Sequence, residues 1–251
     1  MKKFIRQVIF FIVVVFLWEL GSRLELWMPI ILPSPSMVLE SLVQGFGDKT
    51  LIYDLVASFK RLFIGLGISL VLGSLIGILL AKSKYADDTI GSLILALQSV
   101  PSIVWLPLAI MWFGMNEVSV IFVVVLGGTF VMTLNMRMGI KNVSPLYIQA
   151  AQTMGSKGID LFIRVVFPAS IPYVVTGARL AWAFAWRALM AGELLSTGPG
   201  LGYTLQYASD FGDMSLVIGV IVIIGVIGSV VDQFIFNRVE KSVSRRWGLE
   251  S

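Results

Sequence analysis

A chain of 251 residues that is 57% hydrophobic and only 14% charged, with a mean hydropathy of +0.89, reads as a membrane protein, because a soluble domain is nearer a quarter charged. Its net charge of +4 is no nucleic-acid footprint, since the basic residues gather on one side of the apolar segments. The absence of cysteine and histidine excludes disulfides, Cys/His zinc sites, haem ligation through either residue and a histidine general base.

Six apolar stretches have spanning length, about twenty residues for a hydrocarbon core of roughly 30 Å. They cover residues 8–20, 62–81, 90–113, 118–138, 171–194 and 216–236. The first is short and relies on its flanks. An all-α bundle follows, because each span must satisfy its own backbone hydrogen bonds. With both termini placed in the cytoplasm, thirteen lysines and arginines fall inside, Lys2 and Lys3 among them. Only Arg23, Lys49, Lys60 and Arg61 fall outside. That asymmetry sets the orientation.

The N-terminus, Met-Lys-Lys-Phe-Ile-Arg before an apolar run, has the outline of a secretory signal. Trp18-Glu19-Leu20-Gly21-Ser22-Arg23 offers no small-x-small cleavage pattern, so an uncleaved first helix is expected. Leu32-Pro33-Ser34-Pro35-Ser36 then breaks the chain. Ser34 or Ser36 can cap the next helix, with Pro35 in its first turn. From Met37 to Phe46 apolar residues recur at helical spacing over a length too short to span, which reads as an amphipathic helix on the outer surface.

In the second span Gly65, Ser69, Gly73, Gly77 and Ala81 repeat every four residues. Such a small-residue face serves close helix packing in lipid, a reading preferred here over a substrate groove. Gly177, Ala181 and Ala185, and again Ala188 and Gly192, repeat the device in the fifth span. Pro101 and Pro107 should kink or interrupt the third span, since each removes a backbone donor. The kink either lines a cavity or is a fixed structural feature. The glycine-rich loop 196–202 is not a phosphate loop, because no Gly-Lys-Ser/Thr triplet occurs, and neither His-Glu-x-x-His nor Gly-x-Ser-x-Gly is found.

Residues 142–168 form the loop between the fourth and fifth spans, and 149–168 within it are a polar island. Ser144-Pro145 is a strong helix start. Tyr147, Ala150, Ala151 and Met154 share one face, and Gly155 suits a left-handed C-cap. Ser156 can cap a second helix carrying Ile159, Phe162, Ile163 and Val166, after which Pro168 and Pro172 bracket the entry to the fifth span. Two short amphipathic helices at a glycine corner make a knob suited to a soluble partner. The competing reading, helices lying on lipid headgroups, lacks the lysines and arginines it needs.

Gln149-Ala150-Ala151, Gly155, Val165 and Phe167-Pro168 resemble, in register, the Glu-Ala-Ala loop of ABC-importer permeases: Glu-Ala-Ala, three residues, Gly, nine residues, Ile-x-Leu-Pro. Residues 99–114 with Pro101, Pro107 and Trp112-Phe113-Gly114 look like the nitrate/sulfonate/taurine branch. So do Pro168–Pro172, Thr176–Arg179, Ala191-Gly192-Glu193 and Gly200-Leu201-Gly202. The resemblance implies a six-helix permease of the type I importer kind, a single domain over 1–251 with a core at about 55–240. It also implies a multi-pass protein of the bacterial inner membrane. Loop 142–168 would be the coupling helix that docks on a cytoplasmic ABC ATPase dimer, with Gln149, Ala150, Ala151 and Gly155 as contact core and Pro168 fixing the exit. ATP and Mg would bind the ATPase, leaving this chain without a cofactor. A second permease copy, an extracytoplasmic solute-binding protein and the lipid bilayer are the other implied partners, with no nucleic acid. Gln149 departs from the family's Glu, keeping hydrogen-bonding ability without the charge.

Arg179, Arg187 and Glu193 lie in or near the fifth span and Asp232 near the inner end of the sixth. An arginine at mid-membrane costs at least ~2.5 kcal/mol, so such residues face a cavity or each other. Arg187 and Arg179, with Glu193 and Pro101, are the candidates for a pathway that favours an anion such as nitrate or a sulfonate. Pairing of Arg179 with Asp232, or snorkelling to an interface, is the structural alternative. Glu193 either meets the binding protein or supports the glycine-rich turn. A vitamin or pyrimidine precursor is the alternative solute. A self-contained secondary carrier is the rival class, and it would need an ion site and usually an internal repeat.

Overall fold

The computed structural model describes residues 2–247. Met1 and residues 248–251, which the sequence assigns to the single domain, lie outside the described residues, as do the side chains of Lys2 and Lys3. Among the described residues there are ten helices and no strand: α1 Lys2–Arg23, α2 Pro35–Gly47, α3 Thr50–Lys82, α4 Lys84–Gln98 and α5 Ser102–Phe113, α6 Glu117–Lys141, α7 Pro145–Thr153, α8 Gly158–Glu193, α9 Leu201–Asp210 and α10 Met214–Arg246. Five of them, α1, α3, α6, α8 and α10, are long and apolar enough to cross a membrane, and the bent pair α4–α5 makes a sixth span. The chain divides into two compact units. One runs to Ser58 and takes Glu193–Val226; the other takes Phe59–Gly192 and the chain from Ile227.

In the first unit, Ser34 caps α2 by accepting the Met37 amide, with Pro35 in the first turn. Ser36 instead turns to Glu19 of α1, whose carboxylate accepts its amide and hydroxyl at 3.2 Å each. Gly219 at the start of α10 leaves no room for a Cβ against Leu42 of α2.

The second unit is organised around α6. More than half of its most apolar stretch (56%) is buried inside the chain, against 11% for α8 and α10. Both small-residue stripes meet it. From α3, a Cβ on Gly65 would reach Val124 at 2.5 Å, and one on Gly73 or Gly77 would strike α6 backbone at Thr129 or Thr133. The Ser69 hydroxyl donates to the Gly65 and Val125 carbonyls. From α8, Gly177 packs on Asn135, Ala188 on Gly127 and Gly192 on Val120. Adjacent Gly127 and Gly128 serve the two sides, one facing Ala188 and the other Ser69. This is van der Waals packing of the kind that drives association in lipid. Gly77→Val, which adds bulk against backbone, is expected to lower the melting temperature of the purified protein by about 5 °C. Gly67→Val in the same helix meets open space and should change it little; equal effects would remove the packing role.

The third span is broken rather than kinked, since α4 and α5 meet at 97° across residues 99–101. Pro101 stands in extended backbone at the break, while Pro107 sits in the first turn after a short 3₁₀ segment. There its missing N–H costs nothing, so Pro107 does not kink the helix. The entry to the fifth span also differs from expectation. The second island helix is not separate, and α8 runs unbroken from Gly158 past Pro168 and Pro172. A π-turn over Phe162–Val166, in which the Phe167 amide reaches back to the Phe162 carbonyl, widens the helix just before Pro168. The carbonyl that Pro168 cannot serve is that of Arg164, inside this turn. Such π-turns are single-turn insertions in α-helices.

Candidate coupling site and solute pathway

The knob begins at α7. Ser144 accepts the Leu146 amide at 3.4 Å and Pro145 occupies the first helical position. The helix ends in a Schellman motif: the Gly155 amide bonds the Gln152 carbonyl at 3.0 Å and the Ser156 amide bonds that of Ala151 at 3.0 Å. Gly155 has φ of +91°, as this turn requires. A Cβ there would meet nothing within 4 Å, so conformation, not space, demands glycine. Ser156 does not cap the next helix, whose N-cap is Lys157; its hydroxyl donates to Asp160 at 2.6 Å.

Of the expected contact core, Gln149 and Ala150 are exposed and Ala151 is buried at the base of the helix. Leu146, Tyr147, Met154, Ile159 and Ile163 are exposed around them, giving an apolar surface on a polar segment. Ala151, Met154, Gly155, Ser156, Asp160, Arg164 and Val165 line a cleft of about 370 Å³. Pro168 lies beyond it, within α8, rather than at a chain exit. The end of α6 that leads into the knob is pinned: the Asp87 carboxylate accepts from both Arg137 and Lys141, one helical turn apart. The Tyr173 hydroxyl accepts from the Asn142 side-chain amide at 3.1 Å. Neither contact is legible in the sequence, although the Arg137/Lys141 spacing marks one face of α6.

The four pathway candidates separate. Pro101 lies at the break of the third span, where Gln98, Pro101, Ser102, Gly127, Phe130 and Phe184 enclose a cavity of about 60 Å³. Arg187 is exposed, and its guanidinium lies 5.8 Å from the centre of the Phe184 ring. Among the described residues no carboxylate pairs with it. Arg179, by contrast, is held by two acids. It makes a bidentate pair with Asp232 at 2.7 Å through each nitrogen and a further pair with Glu240, which also accepts the Thr176 hydroxyl at 3.0 Å. The structural alternative is the one realised for Arg179.

Glu193 is fully enclosed in the first unit. Its carboxylate accepts the Ser58 hydroxyl at 2.8–2.9 Å and the Gly202 amide at 3.0 Å. Ser58 in turn accepts the Leu201 amide, and Asp54 accepts the Gly200 amide and the Thr204 hydroxyl. The free amides opening α9 are thus capped by buried side chains, Asp54 and Ser58 from far away in sequence and Glu193 from nine residues before. Glu193 supports the glycine-rich turn. Asp54 and Ser58 were not singled out by sequence; an acid and a serine one turn apart at the head of an apolar helix were the available signal.

Among the described residues the chain is all-helical, with five spanning helices, a broken sixth span and an exposed knob, which is the architecture of a multi-pass membrane protein. Residues 69–246 match the model of the family described as "Binding-protein-dependent transport system inner membrane component". The taurine transport system permease protein of Escherichia coli (strain K12) is 32% identical over 215 residues, 84% of this chain and 78% of that one. The nitrate import permease protein of Synechocystis sp. (strain PCC 6803) is 28% identical over 247 residues, 93% and 87% of the two chains. A solved structure of the MetNI methionine ABC transporter in an inward-facing conformation contains a chain with the same fold, at TM-score 0.68 and 18% identity, covering 77% of this chain and 96% of that one. The chain belongs to the binding-protein-dependent family of inner membrane components. It is a permease subunit of an ABC importer, in which ATP hydrolysis resides in a separate ATPase.

Proposed function

We propose that this permease imports a small anionic solute of the nitrate, sulfonate or taurine kind. It does so as one domain of a homodimer, with both termini in the cytoplasm of a bacterial cell. A cytoplasmic ABC ATPase dimer, which binds ATP and Mg, docks on the knob at Gln149, Ala150, Ala151 and Gly155. An extracytoplasmic binding protein delivers the solute. The kinship with taurine and nitrate permeases supports the solute class, and the thirteen-to-four distribution of basic residues supports the orientation. The observation that carries the anionic reading is Arg187, a cation exposed within a spanning helix without a carboxylate partner among the described residues. Such a residue is costly in lipid and is retained where it meets solute, water or a partner. Arg179 is already neutralised by Asp232 and Glu240 and is the weaker candidate.

Uptake of labelled taurine and nitrate into vesicles holding the permease, its ATPase and its binding protein tests this. Uptake should require ATP and stop with vanadate. Arg187→Gln should lower it about tenfold, roughly the effect of 1.4 kcal/mol on the rate, while Arg187→Lys keeps most of it. Unchanged rate and apparent affinity in Arg187→Gln would count against an anion path at this residue.

A further inference from the structure

The last ten residues of α10, Asn237–Arg246, have two dissimilar faces. Glu240, Val243 and Ser244 turn inward and line a cleft of about 340 Å³ with Asn135, Tyr173 and Thr176, and Glu240 is tied to Arg179 and Thr176. On the other side Arg238, Lys241 and Arg245, spaced i, i+3 and i+7, are all exposed and so share one stripe of the helix. Orientation by positive charge depends on the number of basic residues; it does not require them on a single face.

Depth says what this face meets. The apolar part of α10 ends at Phe236, directly before it. At 1.5 Å per residue Arg238 stands about 3 Å beyond that edge, Lys241 about 7 Å and Arg245 about 13 Å. A headgroup layer is about 5–8 Å thick, and long basic side chains reach several ångströms along it. The Arg238 guanidinium lies 5.4 Å from the ring centre of exposed Phe234, back towards the apolar segment. Trp247, which is 40% exposed, follows at the end of the helix.

We infer that Arg238, Lys241 and Arg245 form a binding face for anionic phospholipid headgroups, held at headgroup depth by the ion pair of Glu240 with Arg179 on the opposite side. The inference stands apart from the choice of solute and from the direction in which the chain lies in the bilayer. Clusters of lysine and arginine next to a span attract anionic lipid in this way, within a Debye length of the surface.

The test extracts the permease–ATPase complex from vesicles of equal phosphatidylglycerol and phosphatidylcholine and counts retained lipid by native mass spectrometry. The unaltered complex should hold phosphatidylglycerol over phosphatidylcholine by about fivefold or more. R238Q/K241Q/R245Q should bring the ratio close to one, and the charge-keeping R238K/R245K should preserve it. Single Lys241→Glu, which should lower the ratio, serves if the triple variant does not fold. An equal ratio in the unaltered and neutralised proteins would overturn the inference. So would an unchanged ratio with loss of the co-purifying ATPase, which would assign the face to that partner.

Discussion

Gly155→Asp is expected to abolish co-purification of the ATPase while leaving the permease in the membrane at its normal level. The turn at Gly155 has a left-handed backbone, φ +91°, which costs a residue with a Cβ about 1–2 kcal/mol. That is too little to unfold the helices packed on α6. It is enough to shift a knob joined to α8 by residues 154–157, because the hydrogen bonds from the Gly155 and Ser156 amides to the Gln152 and Ala151 carbonyls depend on this conformation. The aspartate also places a carboxylate in a cleft where Asp160 is already paired with Arg164, and a partner surface closing over it would have to strip that charge of water. Gly155→Asn isolates the two effects, since asparagine tolerates the left-handed region and carries no charge. It should retain most of the ATPase, with the aspartate variant at least about tenfold lower, which corresponds to 1.4 kcal/mol of docking energy. Normal recovery of ATPase with Gly155→Asp would remove docking from residues 142–168.

The features that were legible in the sequence are those fixed by neighbours in the chain. Ser34 and Ser144-Pro145 start helices where a hydroxyl and a proline suit the first turn, and Gly155 ends one. The stripes of Gly65, Gly73 and Gly77 and of Gly177, Ala188 and Gly192 announced close packing through their spacing alone, although only the structure shows that both meet α6. What stayed hidden depends on distant partners or on backbone adjustments. Proline predicts a missing hydrogen bond, but not whether a π-turn will absorb it, as at Pro168, or whether a span will break by 97°, as beside Pro101. Asp87 with Arg137 and Lys141, and Asp54 with Gly200 and Thr204, join residues 50 to 150 positions apart. Arg179 illustrates the boundary between the two cases. Its pairing with Asp232 is one of three readings from charge placement, beside a pathway role and snorkelling, whereas Glu240 as a third member is not visible there.

Glu193→Ala is expected to destabilise the protein by about 2–4 kcal/mol, because it strands the Ser58 hydroxyl and the Gly202 amide inside the fold without their acceptor. At the size of this chain the shift is about 5–15 °C in melting temperature. The loss should be largest in the glycine-rich turn and α9, which exchange of backbone amides with heavy water would report. Gly200 provides a second way to reach the same group. A Cβ on Gly200 would stand 2.7 Å from the Glu193 carboxyl atoms, and its extended φ of 162° is open to any residue. Gly200→Ala should therefore destabilise through this one collision, and the collision disappears when the carboxylate is gone. The double variant Glu193→Ala/Gly200→Ala is then expected to be no less stable than Glu193→Ala alone, a coupling of 1 kcal/mol or more in a double-mutant cycle, on the order found for residues in contact. Simple addition of the two losses would mean that Gly200 is needed for another reason, and that the buried carboxylate is not what shapes the turn.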